Sequence, residues 1–193
     1  MADKKAIVVL APAAELSASG DGMGKLLKKG ALLPQLTSGA FPDGAVADAD
    51  CVRVTPAEVA GAVEKGTALM VVDLGQADSA ALDAALKTLL DAVDRRTVIA
   101  VAAKNGLALY GVGIDPKVGT VNRAVSVRDI LPTLATVGEF ALTTQCEGAV
   151  IYQVLKNPNP KLEELVKLKE ALTRMESALA RDNREPWDKH DCA

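Results

Sequence analysis

Three short runs of branched apolar residues govern what this chain can become: Lys4 to Leu10, Thr67 to Val72 and Thr97 to Ala103. Such runs, without polar alternation, suit strands buried on both faces. Helix signals separate them. Thr55-Pro56-Ala57-Glu58 offers a Thr cap, Pro at the first helical position and a Glu placed to complete a capping box, so a helix is expected from there to about Lys65, stopping at Gly66. Asp78 or Ser79 caps a second helix to about Val93, with Leu82, Leu86, Leu89, Leu90 and Val93 on one face and Arg95 and Arg96 near its C-terminal end. This alternation predicts an α/β domain with a mostly parallel central sheet and helices on both faces.

The intervening segments are read from their punctuation. Lys25 to Lys29 is expected to form at most one or two helical turns closed by Gly30, and 34–50, with Pro34, Gly39, Pro42 and Gly44, to be mostly loop. Cys51 to Val54 and Leu107 to Tyr110 are candidate short strands. Asp129 is expected to cap a helix through Val137, with Pro132 in its first turn and Gly138 at its end. Glu147 to Leu155 reads as another short helix. Asn157-Pro158-Asn159-Pro160 breaks the chain, dividing an α/β domain, 1–156, from a C-terminal part, 157–193, that holds a helical arm at 161–182 and a loose tail. In the arm, Leu165, Leu168, Leu172, Met175 and Leu179 follow the 3-4-3-4 spacing of a helix–helix seam. The seam spans only about two heptads. It suits packing back on its own domain, or pairing between subunits of a homo-oligomer.

Of 193 residues, 49% are apolar but only 3% aromatic, so the core must be built from small and branched side chains. A net charge of -3 gives no general attraction to nucleic acid or to an anionic membrane. No run reaches the roughly 18 apolar residues of a membrane-spanning helix, and the N-terminal run is shorter than most signal-peptide cores. A cytoplasmic protein is expected, which fits Cys51, Cys146 and Cys192, widely spaced and in no metal or redox motif.

Candidate sites are few. Glycines before a helix can present N–H groups to an anion, so Gly20, Gly22 and Gly24 with Lys25 invite a phosphate or nucleotide reading. Ser19 and Leu26 break the P-loop spacing, however, and a plain loop is the competing reading. Asp73 and Asp78 flank the turn after the second apolar run, and Lys104 and Asn105 follow the third. Strand C-terminal ends are where open α/β sheets bind ligands. Equally, Asp78 suits a helix cap, Asp73 can simply face water and Asn105-Gly106 is a turn signal. Thr37 and Ser38 have no visible base to activate them. The single histidine, His190, lies in the tail, which excludes a multi-histidine metal site within the domain.

One stretch resembles a known family. Tyr110-Gly111-Val112-Gly113-Ile114, then Asp129-Ile130-Leu131-Pro132-Thr133-Leu134, then Glu147-Gly148 follow the order of pieces in the alkaline phosphatase/sulfatase superfamily. Leu69 to Asp73 resembles the strand ending in a metal-binding Asp, and Leu36 to Pro42 the end of the family's nucleophile helix. The resemblance implies an alkaline-phosphatase-like core. The departures fall on its chemistry. Leu10-Ala11-Pro12 stands where a first metal-binding Asp belongs, and Lys104-Asn105-Gly106 replaces an Asp-His-Gly motif. The nucleophile's place falls near Gly30. A cation and an amide cannot hold a divalent metal as a carboxylate and an imidazole do. The resemblance therefore implies a non-catalytic relative with a binding, scaffolding or oligomeric role and no cofactor. The alternative is a phosphoester hydrolase or mutase that uses Asp73, Asp78 and a magnesium-type ion, with Lys104 offsetting phosphate charge.

Overall fold

A computed structural model describes residues 4–46, 51–143, 145–157 and 160–182. The central strand β1 (Lys5–Ala11) lies parallel to β5 (Leu69–Asp73) on one side and to β6 (Thr97–Ala103) on the other. β4 (Cys51–Arg53) extends the sheet beyond β5, again parallel. Beyond β6 runs β7 (Gly106–Gly111), antiparallel, and then β2 (Ala31–Leu33) at the far edge. The order is β2-β7-β6-β1-β5-β4, a mixed and mostly parallel sheet of six strands. A two-stranded parallel sheet joins β3 (Gln35–Thr37) to β8 (Ala124–Ser126).

Alternation along the strands sorts the core into two layers. Ala6, Val8, Leu69, Val71, Val98, Ala100, Leu107 and Leu109 pack with Ile130, Leu131 and Leu134 of α4 (Val127–Gly138). Ile7, Val9, Met70, Val72, Ile99, Val101 and Ala108 face the other way. They pack with Met23 and Leu26 of α1 (Asp21–Lys29), Val59 and Ala62 of α2 (Val59–Glu64), and Leu82, Leu86 and Leu89 of α3 (Ser79–Ala92). Helices thus cover both faces. All seven residues of β6 are buried, as its unbroken apolar sequence requires. α5 (Pro160–Asp182) belongs to a second compact unit, which begins at Asn157. No helix among the described residues is long and apolar enough to cross a membrane.

Several local expectations need correction. α2 begins at Val59, but the Thr55–Glu58 pairing is present: the Thr55 backbone N–H and hydroxyl both donate to Glu58 Oε2, at 2.9 and 2.8 Å. These bonds hold the Glu58 carboxyl below the usual range. α1 begins at Asp21, inside the glycine-rich stretch, and is nine residues long. α4 is capped by Ser126, not Asp129. Asp129 is the third helical residue and closes the capping box by accepting from the Ser126 N–H at 2.9 Å. Pro132 therefore lies one turn deeper than expected. At the other end Glu139, not a glycine, takes the left-handed position with φ 60°. The segment 147–155 is no helix: only a 3-10 turn, Tyr152–Val154, interrupts an irregular chain.

That irregular chain is held by α4. Asp129 Oδ1 accepts from Ala149 N at 2.8 Å, and Arg128 pairs with Glu147 at 2.7 Å. Gly148 is pressed onto the Arg128 carbonyl so closely that a Cβ would lie 2.0 Å from its oxygen. Pro132 has no N–H to offer that carbonyl from one turn on. The hydroxyl of Thr133, fully buried, donates to Asp129 O at 2.7 Å and accepts from Ile151 N at 3.0 Å.

Two outcomes follow for stability. Thr133→Val keeps the shape but strips Ile151 N–H of its acceptor, so urea unfolding should show a loss of about 1–3 kcal/mol, with Thr133→Ser much milder. The second concerns Asp94, before β6. Its Oδ1 accepts from Arg96 N at 2.9 Å and the Thr97 hydroxyl at 3.0 Å. The Arg96 bond above all lowers its carboxyl pKa. A lowered folded-state value stabilises above the unfolded carboxylate pKa, about 3.9, and that contribution fades as pH falls through the folded value. The stability difference between wild type and Asp94→Asn should accordingly be constant at neutral pH and shrink on acidification below about pH 4.

Candidate functional site

Parallel pairing in the registers Leu10↔Asp73 and Leu10↔Ala102 brings the C-terminal ends of β1, β5 and β6 to one sheet edge. The chain after β3 and the start of α4 rise beside that edge. Between them lies a cleft of about 720 Å³ lined by Leu10, Pro12, Leu36, Ser38, Gly39, Ala40, Phe41, Arg53, Asp73, Ala102, Ala103, Lys104 and Val127. It lies where open α/β sheets take their ligands.

The charged side chains that line the cleft each have an ion-pair partner. Arg53 pairs with Val71 in register, so Arg53, Val71 and Asp73 point to the same face of the sheet. Arg53 Nη1 donates to Asp73 Oδ2 at 3.3 Å, and the other carboxylate oxygen accepts from Gly75 N at 3.0 Å. Both side chains are about half exposed, at 52% and 49%. Lys104 Nζ lies 3.3 Å from Glu15 Oε1, again in the open. Exposed pairs of this kind contribute little, about 0–1 kcal/mol. The remaining walls are mostly apolar.

The residues singled out in the sequence divide sharply. Asp73 and Lys104 line the cleft. Asp78 does not: it caps α3, accepting from Ala81 N at 2.8 Å. Asn105 is a clamp, with Oδ1 accepting from Leu16 N at 2.7 Å and Nδ2 donating to Leu16 O at 3.0 Å. It ties the chain after β1 to the turn between β6 and β7. Ser38 lines the cleft, and Thr37 ends β3. Arg53 and Phe41 were not singled out as site residues, although Cys51 to Val54 reads as a short strand and Phe41 falls within the Leu36 to Pro42 resemblance. No three His, Cys, Asp or Glu residues among those described come together to hold a metal ion. His190 and Cys192 lie outside the described residues.

The glycine-rich stretch 20–25 is built differently from a phosphate loop. Gly20 is the N-cap of α1 and has no side chain to cap with. The task falls to Asp83 of α3, whose Oδ1 accepts from Met23 N at 2.8 Å. A Cβ on Gly20 would lie 2.0 Å from that oxygen, and one on Gly22 only 2.6 Å from the Asp83 carbonyl. The glycines let α1 approach α3, and the N–H dipoles of α1 already face a carboxylate from within the chain. No protein-family model and no curated protein matches this chain.

Gly20→Ala should therefore displace Asp83 and cost about 1–2 kcal/mol in denaturant unfolding. In an Asp83→Ala background the same substitution should cost clearly less, because the clash and the lost cap share one partner.

Proposed function

We propose that the domain is a non-catalytic relative of the alkaline phosphatase/sulfatase superfamily, and that it binds a small organic anion in the cleft at the sheet's C-terminal edge. The observation that carries this reading is the composition of that edge: an apolar floor and walls, two cations, and one carboxylate already spoken for. Leu10 and Pro12 occupy the end of β1, where the resemblance calls for a metal-binding Asp. Asp73, the best remaining ligand, shares its oxygens between Arg53 and Gly75 N. Asp78 is committed to α3. A magnesium-type ion takes about six oxygen ligands. Such an ion keeps several waters and is held by one or two carboxylates, and among the described lining residues Asp73 is the single carboxylate and is already paired with Arg53, which weighs against the hydrolase alternative.

The lining favours an anion with an apolar body. Arg53 and Lys104 stand toward opposite sides of the cleft, β4 and β6, with Leu10, Phe41 and Ala102 among the surfaces around it. Their ion pairs with Asp73 and Glu15 are exposed, and exposed pairs of this kind are weak, so a ligand carboxylate or phosphate can compete with those two carboxylates. The nucleotide reading of Gly20 to Lys25 is disfavoured by the Asp83 carboxylate at the α1 N-terminus.

Three measurements bear on this. Purified protein should show no saturable magnesium, manganese or calcium binding by calorimetry, and no turnover of generic phosphoesters above the Asp73→Asn variant. Amphipathic carboxylates and phosphate monoesters should raise the melting temperature in a dose-dependent way, and Arg53→Ala or Lys104→Ala should remove much of that shift. Metal-dependent hydrolysis abolished by Asp73→Asn would refute the proposal.

A further inference from the structure

We infer that two copies of the chain associate through α5 as a parallel, two-stranded helical pair, with Leu165, Leu168, Leu172 and Met175 as its seam. The starting observation is a contrast in exposed apolar surface. Across the described residues of 4–156, only Val52 and Tyr152 among the large hydrophobics are exposed. On α5 alone, Leu165 (57%), Leu168 (66%), Leu172 (58%) and Met175 (64%) stand open, with Val166 beside them. The described residues of 4–156 thus carry little exposed large-apolar surface. Most helical stability in proteins comes from packing of the apolar face, and an exposed apolar stripe marks an interaction surface.

The shape of the stripe says what the cover is. A helix lying on a sheet or a broad core shows an apolar face of 100° or more, whereas a strict two-in-seven stripe is the seam of a coiled coil. Here the repeat is 3-4-3, and the exposed residues around it include Lys169, Glu170, Arg174 and Glu176. A seam of this kind is self-complementary, so a second copy of α5 covers it by two-fold symmetry.

Charge fixes the direction. Lys169 follows the seam residue Leu168, and Glu164 precedes the seam residue Leu165. In a parallel pair these two positions of opposite copies come side by side with opposite charge. In an antiparallel pair centred on the same four residues, Lys169 meets Lys169 of the partner subunit. A seam of four residues per copy is short, so association is expected in the micromolar range rather than tighter.

The test uses the full chain. Sedimentation equilibrium over a dilution series through the micromolar range should show a species of twice the 20.0 kDa chain mass dissociating to one chain. Leu168→Glu with Leu172→Glu should leave only the single-chain mass, with the melting of the α/β domain unchanged. Met175→Cys should form an interchain disulfide with itself on mild oxidation, beyond any seen in wild type, since only a parallel pair brings position 175 against itself. A wild-type chain that is monomeric at every concentration overturns the inference, as does a dimer that survives the double Glu change or an assembly larger than two. Failure of Met175→Cys to cross-link in a dimer that the Glu changes dissolve overturns the parallel arrangement.

Discussion

Everything in the domain depends on β1 lying between two parallel partners. Its residues Ala6, Ile7, Val8 and Val9 are fully buried, and its backbone pairs with β5 and β6 along its length. Such a strand cannot carry charge on either face, and it can be reached from its neighbours only by long crossovers. Those crossovers place α1, α2 and α3 on one face, and leave the other to α4. The same parallel arrangement collects the C-terminal ends of β1, β4, β5 and β6 on one side. The cleft exists because the strands agree in direction.

Several residues between Gly111 and Ile151 perform architectural work. Asp129 and Thr133 hold the chain at Ala149 and Ile151. Gly148 permits the contact with the Arg128 carbonyl. Gly111 closes the far end of the β6–β7 pair with φ 109°, where a Cβ would lie 2.2 Å from the Thr97 carbonyl oxygen. None of these residues lines the cleft. These residues are needed for the fold itself, because they satisfy buried backbone groups that would otherwise cost more than any single surface interaction.

The α/β alternation, the span of β6 and the extent of α3 were legible in the sequence, because each is fixed by a regular apolar pattern, with the α3 cap narrowed to Asp78 or Ser79. What escaped was set by partners distant in the chain. β2 and β3 are three residues each and exist only because β7 and β8 pair with them. The glycines at 20–24 could not be told from an anion loop without Asp83, some 60 residues away. Glu139 caps α4 in a conformation usually left to glycine, and its ion pair with Lys4 crosses most of the chain. In the cleft the two lysine and aspartate positions could be reached by reasoning from strand ends. Arg53 could not, since β4 is too short to announce its own direction.

The character of the cleft comes from what its charged groups already do. An ion pair half open to water adds little to stability, yet it sets the local charge: Asp73 is offset by Arg53, and Lys104 by Glu15. A divalent ion would have to draw Asp73 away from a cation and a backbone donor, and would then find Leu10, Pro12, Ala102 and Ala103 in place of further oxygen ligands. An organic anion meets the opposite situation. Its charge can take over a donor from Asp73 or Glu15 while those carboxylates return to water, and its carbon skeleton gains the apolar wall. The proposed preference for an amphipathic anion over a metal ion thus rests on the apolar residues that end β1 and β6.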